Sequence, residues 1–358
     1  MKILYGVVGE GMGHATRSKV VLSALAAQHE LQVVVSGRAY DYLNKLASEH
    51  FAVNKIWCCT LVYEDNELQR WRTVVQNVKG ALTGLPKNAR TYFDIAERFA
   101  PDVIISDFES WSYLFGRSHD LPVISIDNMQ IINRCKHDPV MLEGMERDYH
   151  LTEAVVKAKI PGAFHYHITT FFYPPVDKPN TTLHPPILRP EILAAQPEAG
   201  AHLLVYQTST SNSTLPEILK RSGRECRIYG VRRDIKKDVV EGNLCYRPFS
   251  EAGFINDLRT AAGVVASAGF TLMGEAVYLR RPMLAVHIKG QFEQELNARY
   301  LEKLGYGQGN SELTSEGLGR FIERIPDFEH TLASYRQDGN KDLLAALDQT
   351  LSAAIAQR

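Results

Sequence analysis

Ser267-Ala268-Gly269-Phe270-Thr271-Leu272-Met273-Gly274-Glu275-Ala276, followed by Pro282 and then by Gln291-Phe292-Glu293-Gln294-Glu295-Leu296-Asn297-Ala298, is the stretch on which the reading of this chain turns. Apolar Val264 to Ala266 before it reads as a strand, and Phe270 to Leu279 reads as a helix, so Gly269 stands where one runs into the other. A glycine there lets a ligand come close to the backbone. The amides of Phe270 and Thr271 then open the helix, and its partial positive end can face a diphosphate. Glu275 lies about a turn and a half further in, where a carboxylate can accept two ribose hydroxyls. Glu293 and Gln294 open the next helix and can bond the hydroxyls of a sugar carried on that diphosphate.

A second glycine-bearing segment, Gly9-Glu10-Gly11-Met12-Gly13-His14, follows the apolar run Ile3 to Val8. Two such loops in successive α/β halves describe a cleft with a backbone nest on each wall, able to hold a phosphorylated ligand. Gly11, Gly13 and Arg17 fall on the first wall, facing an acceptor or phosphate. His14 heads the first helix, and a neutral imidazole there is suited to take a proton from an attacking hydroxyl. In Ile104-Ile105-Ser106-Asp107-Phe108-Glu109, Asp107 ends a strand on the edge where open α/β sheets place ligands. It can orient His14, with Glu109 beside it as the next candidate base. The structural alternative makes His14 an ordinary helix-start residue and Asp107 the N-cap of the following helix.

Composition narrows the classes. The chain has 358 residues, which favours two domains over one core. Its 40 Lys and Arg nearly balance 41 Asp and Glu, so the basic footprint of a nucleic-acid binder is missing. Five cysteines, an odd number without C-x-x-C spacing, indicate neither a disulfide framework nor a zinc site and read as reduced cytosolic thiols. The apolar opening Met1 to Val8 is short and runs into the glycine loop, so it reads as a buried strand and not a signal peptide. No apolar run is long enough to span a membrane.

Strands alternate with helices along the chain, the pattern of parallel sheets covered on both faces. In the first half, strands are expected at Ile3 to Val8, Leu31 to Val35, Val103 to Ile105 and Pro122 to Ile126, with helices at Ala15 to Gln28 and Tyr40 to Glu49. Prolines 174, 175, 179, 185, 186 and 190 crowd a segment that cannot be a central strand and mark a boundary. Beyond it, strands fall at Leu203 to Tyr206, Cys226 to Tyr229, Leu244 to Tyr246, Val264 to Ala266 and Met283 to Val286. Helices follow at Leu215 to Arg221, Phe270 to Leu279 and Glu293 to Leu304. The resulting expectation is an N-terminal domain over 1–180, a C-terminal domain over 181–340, and an amphipathic helix over 341–358 packed on a neighbouring element.

At Gly269, Glu275, Pro282 and Glu293-Gln294 before Asn297-Ala298, the chain resembles the GT-B glycosyltransferases. It is similar in particular to the family that transfers N-acetylglucosamine to lipid-linked muramyl peptide. Gly11-Met12-Gly13-His14 resembles that family's N-terminal glycine loop, and the fuller Gly9 to Ser18 segment looks closer to a group of microbial relatives. The resemblance implies two Rossmann-like domains facing across a cleft, with a nucleotide sugar on the second and an acceptor on the first. It implies inverting transfer from a UDP-sugar, N-acetylglucosamine or a related hexose, with His14 as base and without a metal or other cofactor. The acceptor would be a glycan or lipid-linked hydroxyl, met in the cytoplasm or at the inner face of a membrane. By the same resemblance, Phe249 in Arg247-Pro248-Phe249-Ser250 lies beside the nucleobase; the alternative is a hydrophobic staple at a capped helix entry. The pair Glu293-Gln294 departs from the Asp-Gln or Gln-Gln of many relatives.

The loop Gln207-Thr208-Ser209-Thr210-Ser211-Asn212 is hydroxyl-rich where relatives are often glycine-rich. Thr208 and Ser209 can bind phosphate oxygens there, or the loop can be a plain helix N-cap. His165-Tyr166-His167 has a metal-like spacing on one strand face, but an exposed polar face is the expectation. Arg70-Trp71-Arg72, Lys79, Leu82, Leu85, Lys87 and Arg90 form a basic, partly apolar stretch that can be a solvated helix face or touch an anionic membrane. Three other functions remain open. A nicotinamide oxidoreductase would use Gly9-x-Gly11 and Ser36-Gly37-Arg38, but it leaves the second-half signature without a role. A nucleotide-sugar hydrolase or epimerase would use the same cleft, and so would a non-catalytic binding module.

Overall fold

The computed structural model describes residues 1–9, 11–48, 51–58, 84–207 and 214–357, together with the backbone of 63–64 and 67–68. The N-terminal sheet is built from β1 (Lys2–Val7), β2 (Glu30–Val35), β3 (Phe51–Lys55), β4 (Val103–Asp107), β5 (Val123–Asp127), β6 (His165–Thr169) and β7 (Thr181–His184). Their spatial order is β3-β2-β1-β4-β5-β6-β7, and every pairing is parallel. The central strands are buried on both faces, which explains their unbroken apolar runs.

The C-terminal sheet repeats the plan with β8 (Leu203–Tyr206), β9 (Cys226–Tyr229), β10 (Val239–Glu241), β11 (Leu244–Tyr246), β12 (Gly263–Ala266), β13 (Met283–Val286) and β14 (Gly307–Asn310). Its order is β10-β11-β9-β8-β12-β13-β14, parallel except for the antiparallel edge strand β10. The helices that matter below are α1 (Met12–Leu25), α2 (Ser110–Ser118), α3 (Glu146–Lys159), α4 (Glu251–Arg259), α5 (Phe270–Tyr278), α6 (Phe292–Lys303), α7 (Ser315–Leu332) and α8 (Lys341–Ala356).

Each sheet is covered on its outer face by its own cluster. α1 presents Ala15, Ser18, Val21, Leu22 and Leu25 at helical spacing to the first sheet, and α7 presents Leu318, Phe321, Ile325 and Phe328 to the second. The inner faces share one apolar cluster that runs from Leu4 and Ile104 to Met273 and Leu301, so the domains are not separately cored. Two ring contacts carry it across the junction: Phe171 stacks on Phe270 with centroids 6.0 Å apart, and Phe172 on Tyr300 at 3.9 Å.

Three expectations change. β7 lies inside the proline-rich segment yet belongs to the first sheet, so that sheet continues past the expected limit at residue 180. An edge strand tolerates this, because prolines flank the four ladder residues and do not interrupt them. The expected helix Tyr40 to Glu49 is shorter, a helix over Ala39–Leu43 with one 3₁₀ turn over Asn44–Leu46. The His165-Tyr166-His167 face is not exposed: His167 is buried under the C-terminal helix α8. Its Nε2 meets Thr350 Oγ1 at 2.9 Å, its Nδ1 meets His184 Nε2 at 2.9 Å, and His184 Nδ1 reaches Asp342 Oδ2 at 2.6 Å. α8 also puts Leu343, Leu347 and Leu351 among Ile3, Tyr5 and Ile105, so the chain ends back on the domain in which it began. Among the described residues no helix is long and apolar enough to cross a membrane.

Candidate active site

The carboxyl ends of both sheets point at the same place, and two helix starts meet there. α1 begins after Gly11, whose φ of 81° suits glycine, and α5 begins after Gly269; among the described residues neither start has a side-chain cap. They lie so close that a Cβ on Gly13 would come within 2.6 Å of Thr271 Oγ1. Gly269 differs from expectation in one respect. Its φ of −73° is open to any residue, and what its missing side chain leaves is space, with nothing within 4 Å of a built Cβ.

Parallel register sets the next contact. Val7 of β1 pairs with Asp107 of β4, which brings that carboxylate under the first turn of α1. There Asp107 Oδ1 is 2.8 Å from His14 Nδ1, while Oδ2 accepts from Arg17 Nε at 3.0 Å and Ser18 Oγ at 2.8 Å. Arg17 Nη2 also donates to Oδ1 and lies 2.6 Å from the same histidine nitrogen. Burial pushes the Asp107 carboxyl up, but the Arg17 guanidinium and the His14 ring outweigh it and hold it well below the usual carboxylate range. Asp107 therefore stays an anion. In the tautomer whose Nδ1–H donates to Asp107, Nε2 is the nitrogen that can accept a proton.

Two expectations about carboxylates are corrected by burial. Glu109 is 1 % exposed and spends both oxygens on the start of α2, accepting from Trp111 N at 2.7 Å and Ser112 N at 2.6 Å. It is the N-cap that Asp107 was the alternative for, and it cannot serve as a reserve base or acceptor contact from there. Phe108 between them takes φ 56°, the left-handed turn that sends Asp107 to the cleft and Glu109 back to the helix. Glu275 is likewise not free for ribose: it is 2 % exposed, and Arg189 grips it from Nε to Oε1 at 2.8 Å and from Nη2 to Oε2 at 2.9 Å. A third arm, Arg189 Nη1, holds Glu251 at 2.7 Å.

The remaining residues expected on the donor side are spread out. Glu293 Oε1 accepts from Asn297 Nδ2 at 3.2 Å and, across the cleft, from Asn128 Nδ2 at 2.8 Å. Gln294 is buried, with Oε1 accepting from Ile288 N at 3.1 Å, so it braces the preceding loop. Phe249 is 78 % exposed, which removes the hydrophobic-staple alternative; Ser250 alone caps α4, accepting from Gly253 N at 3.2 Å. Thr208 and Ser209 lie outside the described residues, as do Arg70, Trp71, Arg72, Lys79 and Leu82.

The sequence reading missed Asn128, Asp127 and Arg189. Asp127 ends β5 as Asp107 ends β4, bonding Ser125 Oγ and Gln130 N at 2.7 and 2.8 Å, and burial raises its carboxyl. The strand-end rule that singled out Asp107 applies equally to Asp127 and Asn128. Arg189 sits in the proline-rich linker, where no local pattern marks it.

Comparison with known proteins agrees with this architecture. The family model described as Glycosyl transferase family 1 matches residues 1–326. A protein of Methanosarcina acetivorans named as an uncharacterized glycosyltransferase is 24 % identical over 337 residues, covering 88 % of this chain and 84 % of its own length. One of Methanosarcina mazei with the same name is 24 % identical over 342 residues, covering 86 % and 85 %. Among solved structures, Arabidopsis thaliana UGT89C1 complexed with UDP-L-rhamnose superposes with a TM-score of 0.66 at 15 % identity, over 98 % of both chains. The spinosyn forosaminyltransferase SpnP superposes with a TM-score of 0.64 at 14 % identity, over 98 % of this chain and 99 % of its own. The two-domain arrangement of parallel sheets is the GT-B fold.

Proposed function

Because the chain belongs to glycosyl transferase family 1 and is a glycosyltransferase, we propose that it moves a hexose, N-acetylglucosamine or a close relative, from a UDP-sugar to a hydroxyl acceptor with inversion. The observation that carries this reading is the pair of uncapped helix starts meeting at Gly13 and Thr271, with the His14–Asp107 contact of 2.8 Å beside them. The α5 start supplies free amides and a dipole for the diphosphate leaving group, so no metal is required in this scheme. His14 takes the acceptor proton as the hydroxyl attacks the anomeric carbon, and the diphosphate leaves from the opposite face. Asp107 orients the ring and balances the charge that forms on it. UGT89C1 has been solved with UDP and with UDP-L-rhamnose, which supports uridine as the base.

A thermal-shift screen tests the donor. UDP and UDP-sugars raise the melting temperature while NADPH leaves it unchanged, since a ligand of the folded state stabilises it by mass action. A shift with the nicotinamide alone would remove the donor assignment. With an acceptor in hand, His14→Ala lowers turnover by roughly 10²- to 10⁴-fold and leaves UDP affinity nearly unchanged.

A further inference from the structure

Asn128 is the point at which the N-terminal wall touches Glu293 of the C-terminal wall, and its two ends do different work. Arg17 has only donors, so the Asn128 oxygen must face it, and Arg17 Nη1 does donate to Oδ1. An ionised Glu293 has only acceptors, so the amide nitrogen must face it, and Nδ2 donates to Oε1 at 2.8 Å. The chemistry of the neighbours thus orients the amide without ambiguity. Asn128 is 5 % exposed and directly follows Asp127, the last residue of β5, so its backbone is held by the sheet. The bonds run on without a break: Glu293 to Asn128, Asn128 to Arg17, Arg17 to Asp107 and Asp107 to His14.

We propose that Asn128 is a positioning residue that makes the state of the His14–Asp107 pair depend on whether the cleft is closed. With the walls together, Asn128 holds one arm of Arg17, and the guanidinium stays fixed against Asp107 and the His14 ring. With the walls apart, Asn128 loses Glu293 and is held from one side only, so the Arg17 arm that it accepts from is less firmly fixed beside the histidine while Nε and Nη2 stay on Asp107. Glu293 then has two roles, reading the donor sugar and reporting closure to the base. The first of these rests on the donor assignment above, and the naming of His14 as the base rests on the same proposed function.

Exchanging the amide and the carboxylate across this contact tests the proposal in ligand-free protein. Asn128→Asp sets two carboxylates against each other; small-angle scattering then shows an expanded particle, and the His14 ring resonances in NMR spectra shift as the Arg17 arm beside the ring moves. Asn128→Asp combined with Glu293→Gln restores a donor–acceptor pair, and the scattering curve returns to that of the parent protein. Glu293→Ala, in the other domain, also shifts the His14 ring resonances. Retention of the parent scattering curve and His14 ring resonances in both Asn128→Asp and Glu293→Ala would overturn the coupling. If Asn128→Asp does not fold, Asn128→Ala and Glu293→Ala carry the same comparison, with circular dichroism to confirm their fold. No nucleotide is added, so a failure of UDP to bind would count against the donor assignment and not against this contact.

Discussion

Four helix starts in this molecule divide into two kinds. α2 and α4 are closed by their own side chains, Glu109 and Ser250, while α1 and α5 follow glycines and have no side-chain cap. The capped starts satisfy amides with their own side chains, Glu109 at the buried start of α2 and Ser250 at the exposed start of α4. The uncapped pair converge on each other at Gly13 and Thr271. A glycine in place of a capping side chain costs roughly a few tenths of a kcal/mol, so both starts are left open at little cost to the fold. Among the described residues α3, α6 and α8 also start without a side-chain cap, so what sets α1 and α5 apart is that their open starts converge on one place.

The largest expected effect concerns the carboxylate that was read as a ligand contact. Glu275→Ala leaves the half-buried Arg189 with Glu251 as its remaining carboxylate and lowers stability by about 3 kcal/mol, read as a fall in the urea midpoint. An unchanged midpoint with weakened UDP binding would instead return Glu275 to the ribose. Next in size, Gly13→Ala drives a methyl group against Thr271 and disfavours the closed cleft by about 1–3 kcal/mol. The change appears as weaker UDP binding by calorimetry, since alanine in a helix does not itself destabilise it. Thr271→Ala in the same protein recovers the affinity; failure to recover it would separate the two helix starts.

Glu109→Ala is the converse case. It removes a cap and exposes two buried donors, for a stability loss of about 1–2 kcal/mol, while UDP affinity holds. Loss of UDP affinity without loss of stability would put Glu109 back in the site. The smallest effect at neutral pH comes from the far side of the first sheet. Burial, with His165 and His184 beside it, pushes the His167 imidazole down to about 3. A depressed histidine contributes stability that is fully present above its unfolded value of about 6.5 and is lost as pH falls towards the folded value. Urea midpoints should therefore decline from about pH 6.5 downwards, and more gently in His167→Gln; parallel curves would show that another group governs the acid limb.

Much of the cleft was legible in the chain, because what marks it is local. The strand-to-helix junctions at Gly11 and Gly269 announce themselves through apolar periodicity and glycine, and the parallel order of strands and helices follows from alternation. Asp107 could be found because it ends a strand. Residues whose role depends on a distant partner were not legible. Nothing near Glu275 in sequence tells of Arg189, 86 positions away, and nothing near Asn128 tells of Glu293, 165 positions away. Nor does the His165-Tyr166-His167 face reveal that α8 covers it.

The sequence by itself determined the two α/β halves, the glycine-led helix starts and the histidine and aspartate near them, since periodicity, propensity and strand ends are properties of neighbouring residues. Only the tertiary structure decided which charges are free and which are already spent. A carboxylate's availability depends on whatever cation or amide the fold brings within about 3 Å of it, and that distance is set by packing across sheets and domains. By that measure Glu109 and Glu275 became internal supports, and Asn128 became the link between the walls.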